Sequence, residues 1–171
     1  TIVKVNPLPD FEIVEDTAIC YNEPIELNVK TDNNSQYSFE WTDNSGKNIG
    51  LGYTITENLS ASTIFKVNVK NTTTQCSKSK NINIKVHPLP LLQIKQDNAA
   101  CIGNTVELSA SGADDNYQWL NKDKEEVAET NSSIFIPITE NSAEDTIVYV
   151  IGRNITGCLD TISYQLTKLE K

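Results

Sequence analysis

The chain has 171 residues with four cysteines, two tryptophans and a formal net charge of -9. Its lysines are scattered singly, with no basic stripe and no interleaved aromatics, so we expect no nucleic-acid partner. No hydrophobic run approaches the roughly 20 residues that a membrane-spanning helix needs, so we expect no membrane insertion.

The chain consists of two copies of one module. Most offsets between the copies are 78 to 83 residues, which indicates a duplicated domain. The matched pairs are Pro7 with Pro88, Cys20 with Cys101, Trp41 with Trp119, Ile55 with Ile138, Asn71 with Asn154, and Cys76 with Cys158. We therefore expect two domains, at residues 6–86 and 87–171. Residues 1–5 resemble the strand that ends the first copy, so we expect the last strand of a preceding repeat there, or the first strand of this one.

Alternation of apolar and polar residues runs through both copies, and helical periodicity is absent. In the first copy the apolar positions are Ile25, Leu27, Val29, Tyr37, Phe39, Trp41, Phe65, Val67, Val69, Ile82, Ile84 and Val86. Period-two patterns of this kind predict half-buried strands, about seven in each copy. The predicted fold class is all-β, with two tandem antiparallel β-sandwiches and with Trp41 and Trp119 buried between their sheets.

Pro-Leu-Pro segments lie at residues 6–9 and 87–90. Proline fixes φ and biases the preceding residue towards extended backbone, so a stiff, extended joint between sandwiches is one interpretation. A bulge within the first strand of each sandwich is the other.

The four cysteines fall at equivalent positions, two in each copy. Repetition favours one disulfide inside each copy, joining Cys20 to Cys76 and Cys101 to Cys158. Four free thiols are the alternative, and zinc is disfavoured because no two cysteines are closely spaced. Disulfides indicate an oxidising compartment, so we expect an extracellular or cell-surface protein.

Three stretches of the second copy carry a resemblance to a known family. They are Cys101-Ile102-Gly103-Asn104, Tyr117-Gln118-Trp119 and Asn154-Ile155-Thr156-Gly157-Cys158. This pattern resembles the Ig-like and PKD-like repeats of Bacteroidota surface proteins, including gliding-motility adhesins secreted by the type IX system. The first copy departs from it, because Asn22 stands where glycine is usual and Gln75 precedes Cys76 without the turn glycine.

The resemblance implies a non-catalytic stalk or spacer segment of a large repetitive, secreted or surface-attached adhesin, which would hold a binding tip away from the outer membrane. Its partners would be neighbouring Ig-like repeats of the same chain, while extracellular polysaccharide or a surface ligand would be bound by other domains. The fragment itself is expected to be a monomer. A carbohydrate- or protein-binding module with its own site is the alternative function.

Reactive side chains do not form a catalytic set in the sequence. His87 is the only histidine and lies in a joint, where the other copy has Asn6. The acidic residues in turns are explained by solvation, and no cofactor is expected. Calcium binding is kept as an alternative for Asp114, Asp115 and Asn116, although the EF-hand spacing is absent.

Three threonines follow an aspartate and precede an apolar residue: Thr17, Thr146 and Thr161. Such triplets are similar to the O-glycosylation signal of Bacteroidota, and in a chain rich in Asp and Thr they also arise by chance. Modification at these threonines and chance occurrence both stay open.

The copies differ most between the tryptophan strand and the Ile-Thr-Glu-Asn element, where the second copy has five more residues. We place these in residues 120–130, a strongly charged stretch. The candidate contact residues are Asn121, Lys122, Asp123, Lys124, Glu125 and Glu126. A binding module would also need exposed aromatics, for which the alternation leaves Tyr21, Tyr53, Phe135 and Tyr149.

Overall fold

The computed structural model describes residues 3, 5–32, 34–114, 116–129, 132–139 and 146–166. The chain divides into two compact units, Thr1–His87 and Pro88–Lys171. They are called unit 1 and unit 2 below. The strand predicted at residues 1–5 falls largely outside the described residues.

Unit 1 is built from two sheets. One has the strand order β1-β3-β6, and the other has the order β2-β8-β7-β4-β5. Its described strands are β1 (Glu12–Ile13), β2 (Thr17–Cys20), β3 (Pro24–Lys30), β4 (Tyr37–Thr42), β5 (Asn48–Leu51), β6 (Thr54–Asn58), β7 (Thr63–Asn71) and β8 (Ser77–His87).

Unit 2 repeats this arrangement. One sheet has the order β13-β10-β9, and the other has the order β12-β11-β14-β15. Its described strands are β9 (Gln93–Gln96), β10 (Thr105–Ser111), β11 (Tyr117–Leu120), β12 (Glu126–Glu129), β13 (Ser133–Pro137), β14 (Ile147–Arg153) and β15 (Leu159–Gln165). The all-β class and the two tandem sandwiches are therefore as predicted.

Each unit has its own core, formed by the inward residues of the alternating strands. In β3, Ile25, Leu27 and Val29 are buried while Glu26 and Lys30 face solvent. Trp41 and Trp119 are fully buried, as predicted. The Trp41 indole N–H donates to the carbonyl of Gly52 at 3.0 Å, so the polar end of this large side chain is satisfied inside the core.

One pairing in unit 1 departs from a purely antiparallel sandwich. β2 runs parallel to β8, with Thr17 opposite Ile84 and Cys20 opposite His87. β1, in the other sheet, is antiparallel to β3. β1 and β2 belong to one extended segment that passes from one sheet to the other at residues 14–16. The chain does not reverse its direction there, so β2 runs parallel to β8.

The segment that opens unit 2 packs closely on two glycines. Gly112 has φ 96°, and a Cβ atom there would overlap the backbone carbonyl of Leu91. A Cβ atom on Gly152 would overlap the side chain of Leu92. Leu91 and Leu92 are therefore held against unit 2 directly after Pro90, and neither is part of a strand.

No helix among the described residues is long and apolar enough to cross a membrane.

Candidate functional site

The four cysteines are the most specific chemical groups that the sequence singled out, and neither predicted bridge is present. Cys76 and Cys101 are free thiols. Cys20 and Cys158 are disulfide-bonded. The strand lengths within each unit explain why the predicted pairs do not form.

In unit 1 the two cysteines lie at opposite ends of β8. Cys20 is the partner of His87, the last residue of that strand. Cys76 directly precedes Ser77, the first residue of the same strand. Eleven residues of extended backbone span about 35 Å, whereas bridged cysteines have Cα atoms within about 7 Å. A Cys20–Cys76 bridge is therefore incompatible with this sheet.

In unit 2 the separation is set by β10. The carbonyl of Cys101 accepts a hydrogen bond from the N–H of Asn104, just before β10 begins. Cys158 lies in the β14–β15 turn, beyond the far end of β10, where the Asp114 N–H donates to Arg153. The seven residues of β10 extend roughly 20 Å, so Cys101 and Cys158 cannot be bridged either.

The predicted contact residues form the hairpin turn between β11 and β12, here the turn 121–125, followed by Glu126. Asn121 Oδ1 accepts hydrogen bonds from the N–H groups of Asp123 and Glu125, both at 2.9 Å. The Lys124 ammonium lies 2.9 Å from the centroid of the Tyr149 ring. Lys122, Asp123, Glu125 and Glu126 are exposed.

The same turn exists in unit 1, between β4 and β5. Asp43 Oδ1 accepts hydrogen bonds from the N–H groups of Ser45 at 2.9 Å and Lys47 at 3.0 Å. The hydrogen bond from the Ser45 side chain is the main reason that the pKa of Asp43 lies below its ordinary value. The turn 121–125 is thus shared scaffold with different side chains, and its role as a contact stays a prediction.

The extra residues of unit 2 do not lie in this turn, and this part of the sequence prediction was wrong. Leu27 is opposite Ile55 in the β3–β6 pair, and Leu108 is opposite Ile134 in the β10–β13 pair. Since Leu27 and Leu108 are equivalent, Ile55 corresponds to Ile134 and not to Ile138.

Two backbone hydrogen bonds support this register. The N–H of Asn22 donates to Leu59, and the N–H of Gly103 donates to Ile138, both at 2.8 Å. Ile138 therefore takes the place of Leu59. Unit 2 gains most of its extra length between Pro137 and Ile147, where residues 140–145 lie outside the described part. The shared letters Ile-Thr-Glu-Asn led to the alignment of Ile55 with Ile138, because matching letters takes no account of which strands pair.

The three candidate glycosylation threonines have different surroundings. Thr17 is exposed at the start of β2, beside a groove of about 670 Å³ that Asp16 and Ala18 also line. Thr161 is exposed within β15, and its N–H donates to Asp160 at 2.8 Å. Thr146 is half-buried before β14, and Asp145 lies outside the described residues. Modification at these threonines stays a prediction.

The carboxylate of Asp16 is tied into the sheet. Its Oδ1 accepts a hydrogen bond from the Asn83 N–H at 2.7 Å, and its Oδ2 accepts one from the Asn83 side-chain amide at 2.6 Å. The backbone bond, and after it the side-chain bond, holds the pKa of Asp16 below its ordinary value.

Sequence reasoning missed the equivalent residue in unit 2, Asp97. Its two carboxylate oxygens accept hydrogen bonds from the Lys95 ammonium at 2.5 Å and the Ser109 hydroxyl at 2.6 Å. These bonds, first the one from Lys95, lower the pKa of Asp97. The hydrogen bond to Asp97 likewise raises the pKa of Lys95. The available signal was the offset of 81 residues from Asp16, which is also the offset of the cysteines.

The remaining candidates are the calcium ligands suggested at residues 114–116 and the single histidine, His87. The Asp114 carboxylate accepts a hydrogen bond from the N–H of Ile155 at 3.1 Å, and Asp115 lies outside the described residues. The described residues bring together no group of three or more His, Cys, Asp or Glu side chains that could hold a metal ion. His87 ends β8, and its carbonyl accepts a hydrogen bond from Tyr21 at 2.8 Å.

No protein-family model matches the chain, and no curated protein matches it. Among solved structures, it is similar to the first two Ig domains of DIP-gamma (14% identity, 95% of this chain and 99% of that chain, TM-score 0.41). It is also similar to the fibronectin(III)-like modules of Clostridium thermocellum CbhA (12% identity, 95% and 97%, TM-score 0.40). An I-band fragment of titin is a third (14% identity, 93% and 64%, TM-score 0.38). The chain consists of two tandem Ig-like sandwiches, as its strand order shows.

Proposed function

We propose that the chain is a non-catalytic spacer from a large repetitive cell-surface adhesin, where it holds a binding tip away from the outer membrane. The observation that carries this proposal is the duplication itself. Two copies of one sandwich with the same turns and the same buried positions add length without adding a distinct site. By the family resemblance, the parent would be a Bacteroidota surface protein secreted by the type IX system.

The residues common to both units support a scaffold role. Trp41 and Trp119 fill the two cores. Asn71 and Asn154 each begin the turn that contains a cysteine, and each side-chain oxygen accepts hydrogen bonds from N–H groups of that turn. Such turn capping satisfies backbone donors, which is a structural task.

The segment that joins the two units suits a spacer, because most of its residues are held by strand pairing, a hydrogen bond or close packing within one unit. His87 is still paired in β8, and the carbonyl of Pro88 accepts a hydrogen bond from the Asn154 side chain at 2.7 Å. Leu91 already packs on Gly112. The prolines restrict φ in what remains, so the joint is short and stiff rather than a flexible linker.

Exposed aromatic side chains that lay close together would favour the alternative function, a binding module. The positions of those in this chain support the spacer instead. Tyr21, Tyr53 and Phe135 are exposed, at 49%, 53% and 67%. Tyr21 lies beside His87 at one end of unit 1, whereas Tyr53 follows β5 and meets the ring of Phe39 edge-on. Phe135 lies in unit 2. A sugar-stacking platform needs such rings close together, and these are dispersed.

Localisation outside the cytoplasm is part of the proposal. Two of the four cysteines are disulfide-bonded, and disulfides persist in oxidising compartments. Modification of Thr17 by a periplasmic O-glycosylation enzyme would fit the same location, and mass spectrometry of the protein from its native host would detect the added glycan.

Small-angle scattering of the chain tests the spacer. We expect an elongated, monomeric particle with no hydrolytic activity, because a stiff joint keeps successive repeats extended. A compact particle, with a maximum dimension no larger than that of one sandwich pair side by side, would contradict the proposal.

A glycan array tests the binding module. The informative variant replaces Lys122, Asp123 and Glu125 with alanine, and the matched control replaces Asn44, Ser45 and Lys47 of the equivalent turn in unit 1 with alanine. Binding that the unit 2 variant abolishes and the unit 1 variant preserves would establish a ligand site and replace the spacer as the main function.

A further inference from the structure

The outward side of one sheet in unit 2 is apolar, although its inward side already forms the core. β14 is an inner strand of this sheet, paired with β11 on one side and with β15 on the other. Val148 and Val150 point inward and are buried. The residues that alternate with them, Ile147, Tyr149 and Ile151, therefore point outward, and each is half-buried. An apolar run that continues through both faces is typical of a strand that is covered on both sides.

The neighbouring strands extend this apolar side. Leu120 of β11 is opposite Tyr149, and it points outward because the preceding residue, Trp119, is buried in the core. Leu159, at the start of β15, is 47% exposed and lies opposite Arg153. The outward side of β11, β14 and β15 is called the outer face of unit 2 below. A contiguous apolar area on the surface of a soluble domain marks a site of interaction.

The equivalent face of unit 1 is polar. The two units are aligned by the residue opposite the buried tryptophan, which is Val67 in unit 1 and Val150 in unit 2. The equivalent outward pairs, unit 1 first, are Thr42 and Leu120, Ile64 and Ile147, Lys66 and Tyr149, and Asn68 and Ile151. Three of these four positions are polar in unit 1, and all four are aliphatic or aromatic in unit 2. Since both units fold around the same core, the sandwich itself does not require an apolar outer face.

The outer face suits a protein surface better than a sugar. A sugar ring stacks on the open side of an aromatic ring, and the Lys124 ammonium lies 2.9 Å from the centroid of the Tyr149 ring, so that side of the ring is already covered. The other apolar residues of the face are aliphatic. Aliphatic side chains on a flat sheet pack well against a second sheet, as they do between the layers of a sandwich.

We propose that two copies of this chain associate through the outer face of unit 2, each copy contributing the same face. The occupant must be flat, apolar and almost uncharged, and the same face of a second copy has all three properties. On β11, β14 and β15, Arg153 is the only outward residue that is charged. The net charge of -9 is therefore not concentrated on this face.

The two ends of the face are charged in a self-complementary way. Arg153 is exposed at one end of β14. The hairpin turn that follows Leu120 lies at the other end, and Asp123, Glu125 and Glu126 are exposed there. A two-fold axis perpendicular to the strands places the arginine end of each copy opposite the acidic turn of the other. A two-fold contact uses the same patch on both copies, so association stops at a pair.

The area of the face determines the strength of the contact. Three strands of up to seven residues cover about 14 Å by 24 Å, or roughly 340 Å². Two such faces bury roughly 700 Å², below the roughly 1,200 Å² at which stable interfaces begin. The pair is therefore weak, and the dilute chain is monomeric, as the spacer proposal expects. Copies that stand side by side on a surface would associate through their high local concentration.

Sedimentation equilibrium of the native chain over a wide concentration range tests the pair. We expect a monomer in dilute solution and a reversible dimer as the concentration approaches millimolar. The variant with both Tyr149→Lys and Ile151→Asn places the unit 1 residues on unit 2. It should raise the dissociation constant at least about tenfold, because central aromatic and aliphatic contacts contribute most of the binding energy of an interface.

Phe135→Lys is the matched control. It also replaces an aromatic residue of unit 2 with lysine, but Phe135 is 67% exposed on β13, in the other sheet. Its dissociation constant should equal that of the native chain, and thermal unfolding should show that both variants are folded. The proposal is overturned by a native chain that stays monomeric throughout, by an unchanged dissociation constant in the double variant, or by an equal loss of association in the control.

Nuclear magnetic resonance of the native chain gives a second test that needs no variant. Backbone amide resonances of β11 and β14 should shift as the chain is concentrated, whereas those of β4 and β7, the equivalent strands of unit 1, should not. Shifts centred on any other surface would contradict the proposed contact. The elongated shape expected from scattering is measured in dilute solution, so the spacer proposal and this contact can fail independently.

Discussion

Each unit has a residue with positive φ, the left-handed backbone conformation, at the same three turns. The residue type at each turn differs between the units. In the hairpin turns the residue is Gly46 in unit 1 and Lys124 in unit 2, with φ 82° and 66°. After the first cysteine it is Asn22 in unit 1, with φ 61°, and Gly103 in unit 2, with φ 85°. In the second cysteine turn it is Gln75 in unit 1, with φ 63°, and Gly157 in unit 2, with φ 89°.

This comparison teaches that the fold specifies a backbone conformation and not a residue type. Glycine adopts positive φ without a steric penalty, and asparagine tolerates it better than other residues. Gln75 and Lys124 have no such tolerance, so the surrounding hydrogen bonds must impose the conformation. The departures of unit 1 from the glycine pattern therefore leave its turn geometry intact.

The largest effect is expected from the two tryptophans, which should be equally important to their units. Trp41→Ala and Trp119→Ala should each lower the free energy of unfolding of their own unit by about 3–5 kcal/mol, because each empties the centre of a core. The remaining tryptophan is then the sole indole reporter of the other unit. Urea denaturation followed by tryptophan fluorescence should show that unit almost unchanged. A water-exposed emission spectrum in the folded native chain would show that the strand phase is misassigned.

A smaller effect should distinguish the segments that open the two units. Gly112→Ala should destabilise unit 2 by at least about 2 kcal/mol, since φ is 96° and the new methyl group overlaps the Leu91 carbonyl. The equivalent residue in unit 1 is Thr31, whose hydroxyl donates to the carbonyl of Asp10 at 3.1 Å. Thr31→Ala should cost about 1 kcal/mol in thermal unfolding. Equal losses at the two positions would mean that the Leu91 segment yields easily.

Exchanging residues between the cysteine turns should give opposite signs in the two units. Gln75→Gly should stabilise unit 1 by about 0.5–1 kcal/mol, because it relieves a left-handed glutamine. Gly157→Gln should destabilise unit 2 by about 1 kcal/mol, because no atom beyond the chain neighbours lies within 4 Å of the new Cβ and the cost is conformational alone. Chemical denaturation of both variants measures this. A loss of stability in Gln75→Gly would show that the glutamine side chain, which donates to Thr72 at 2.7 Å, outweighs the strain.

The smallest effect is expected in the pH dependence at Asp16. Its pKa is lowered in the folded chain, so the ionised carboxylate stabilises the fold above the ordinary aspartate pKa of about 4. This stabilisation is lost as the pH falls through the lowered pKa. Unfolding of the native chain and of Asp16→Asn should therefore differ at pH 6 and converge in acid. Asp97→Asn is the parallel variant in unit 2, and a constant difference at all pH values would show that ionisation of Asp16 is irrelevant.

Local pattern was enough to predict the strands and the cores. Side chains alternate strictly across a strand, so the phase of Ile25, Leu27 and Val29 follows from the letters alone. Burial of the tryptophans followed in the same way. The turns were located from their Asn, Asp and Gly content, because glycine adopts positive φ and Asn and Asp side chains form hydrogen bonds with nearby backbone groups.

Pairing was beyond the reach of local pattern. The letters Ile-Thr-Glu-Asn occur in both copies, yet the sheet aligns Ile55 with Ile134 because register is fixed by hydrogen bonds to a distant strand. The cysteines failed for the same reason. Equal loop lengths suggested equal bridges within each copy, while the length of β8 places Cys20 and Cys76 at opposite ends of one strand.

By itself, the sequence determined that this protein is a duplicated β-sandwich with a tryptophan in each core, because periodicity and repetition are local properties of the chain. Only the tertiary structure decided which ends of the sandwiches carry the bonded cysteines, where the extra residues of unit 2 fall, and which non-glycine residues adopt positive φ. Those features depend on which strands pair and on how long each strand is. The two strands of a pair are distant in the sequence, so no local pattern of residues specifies their pairing.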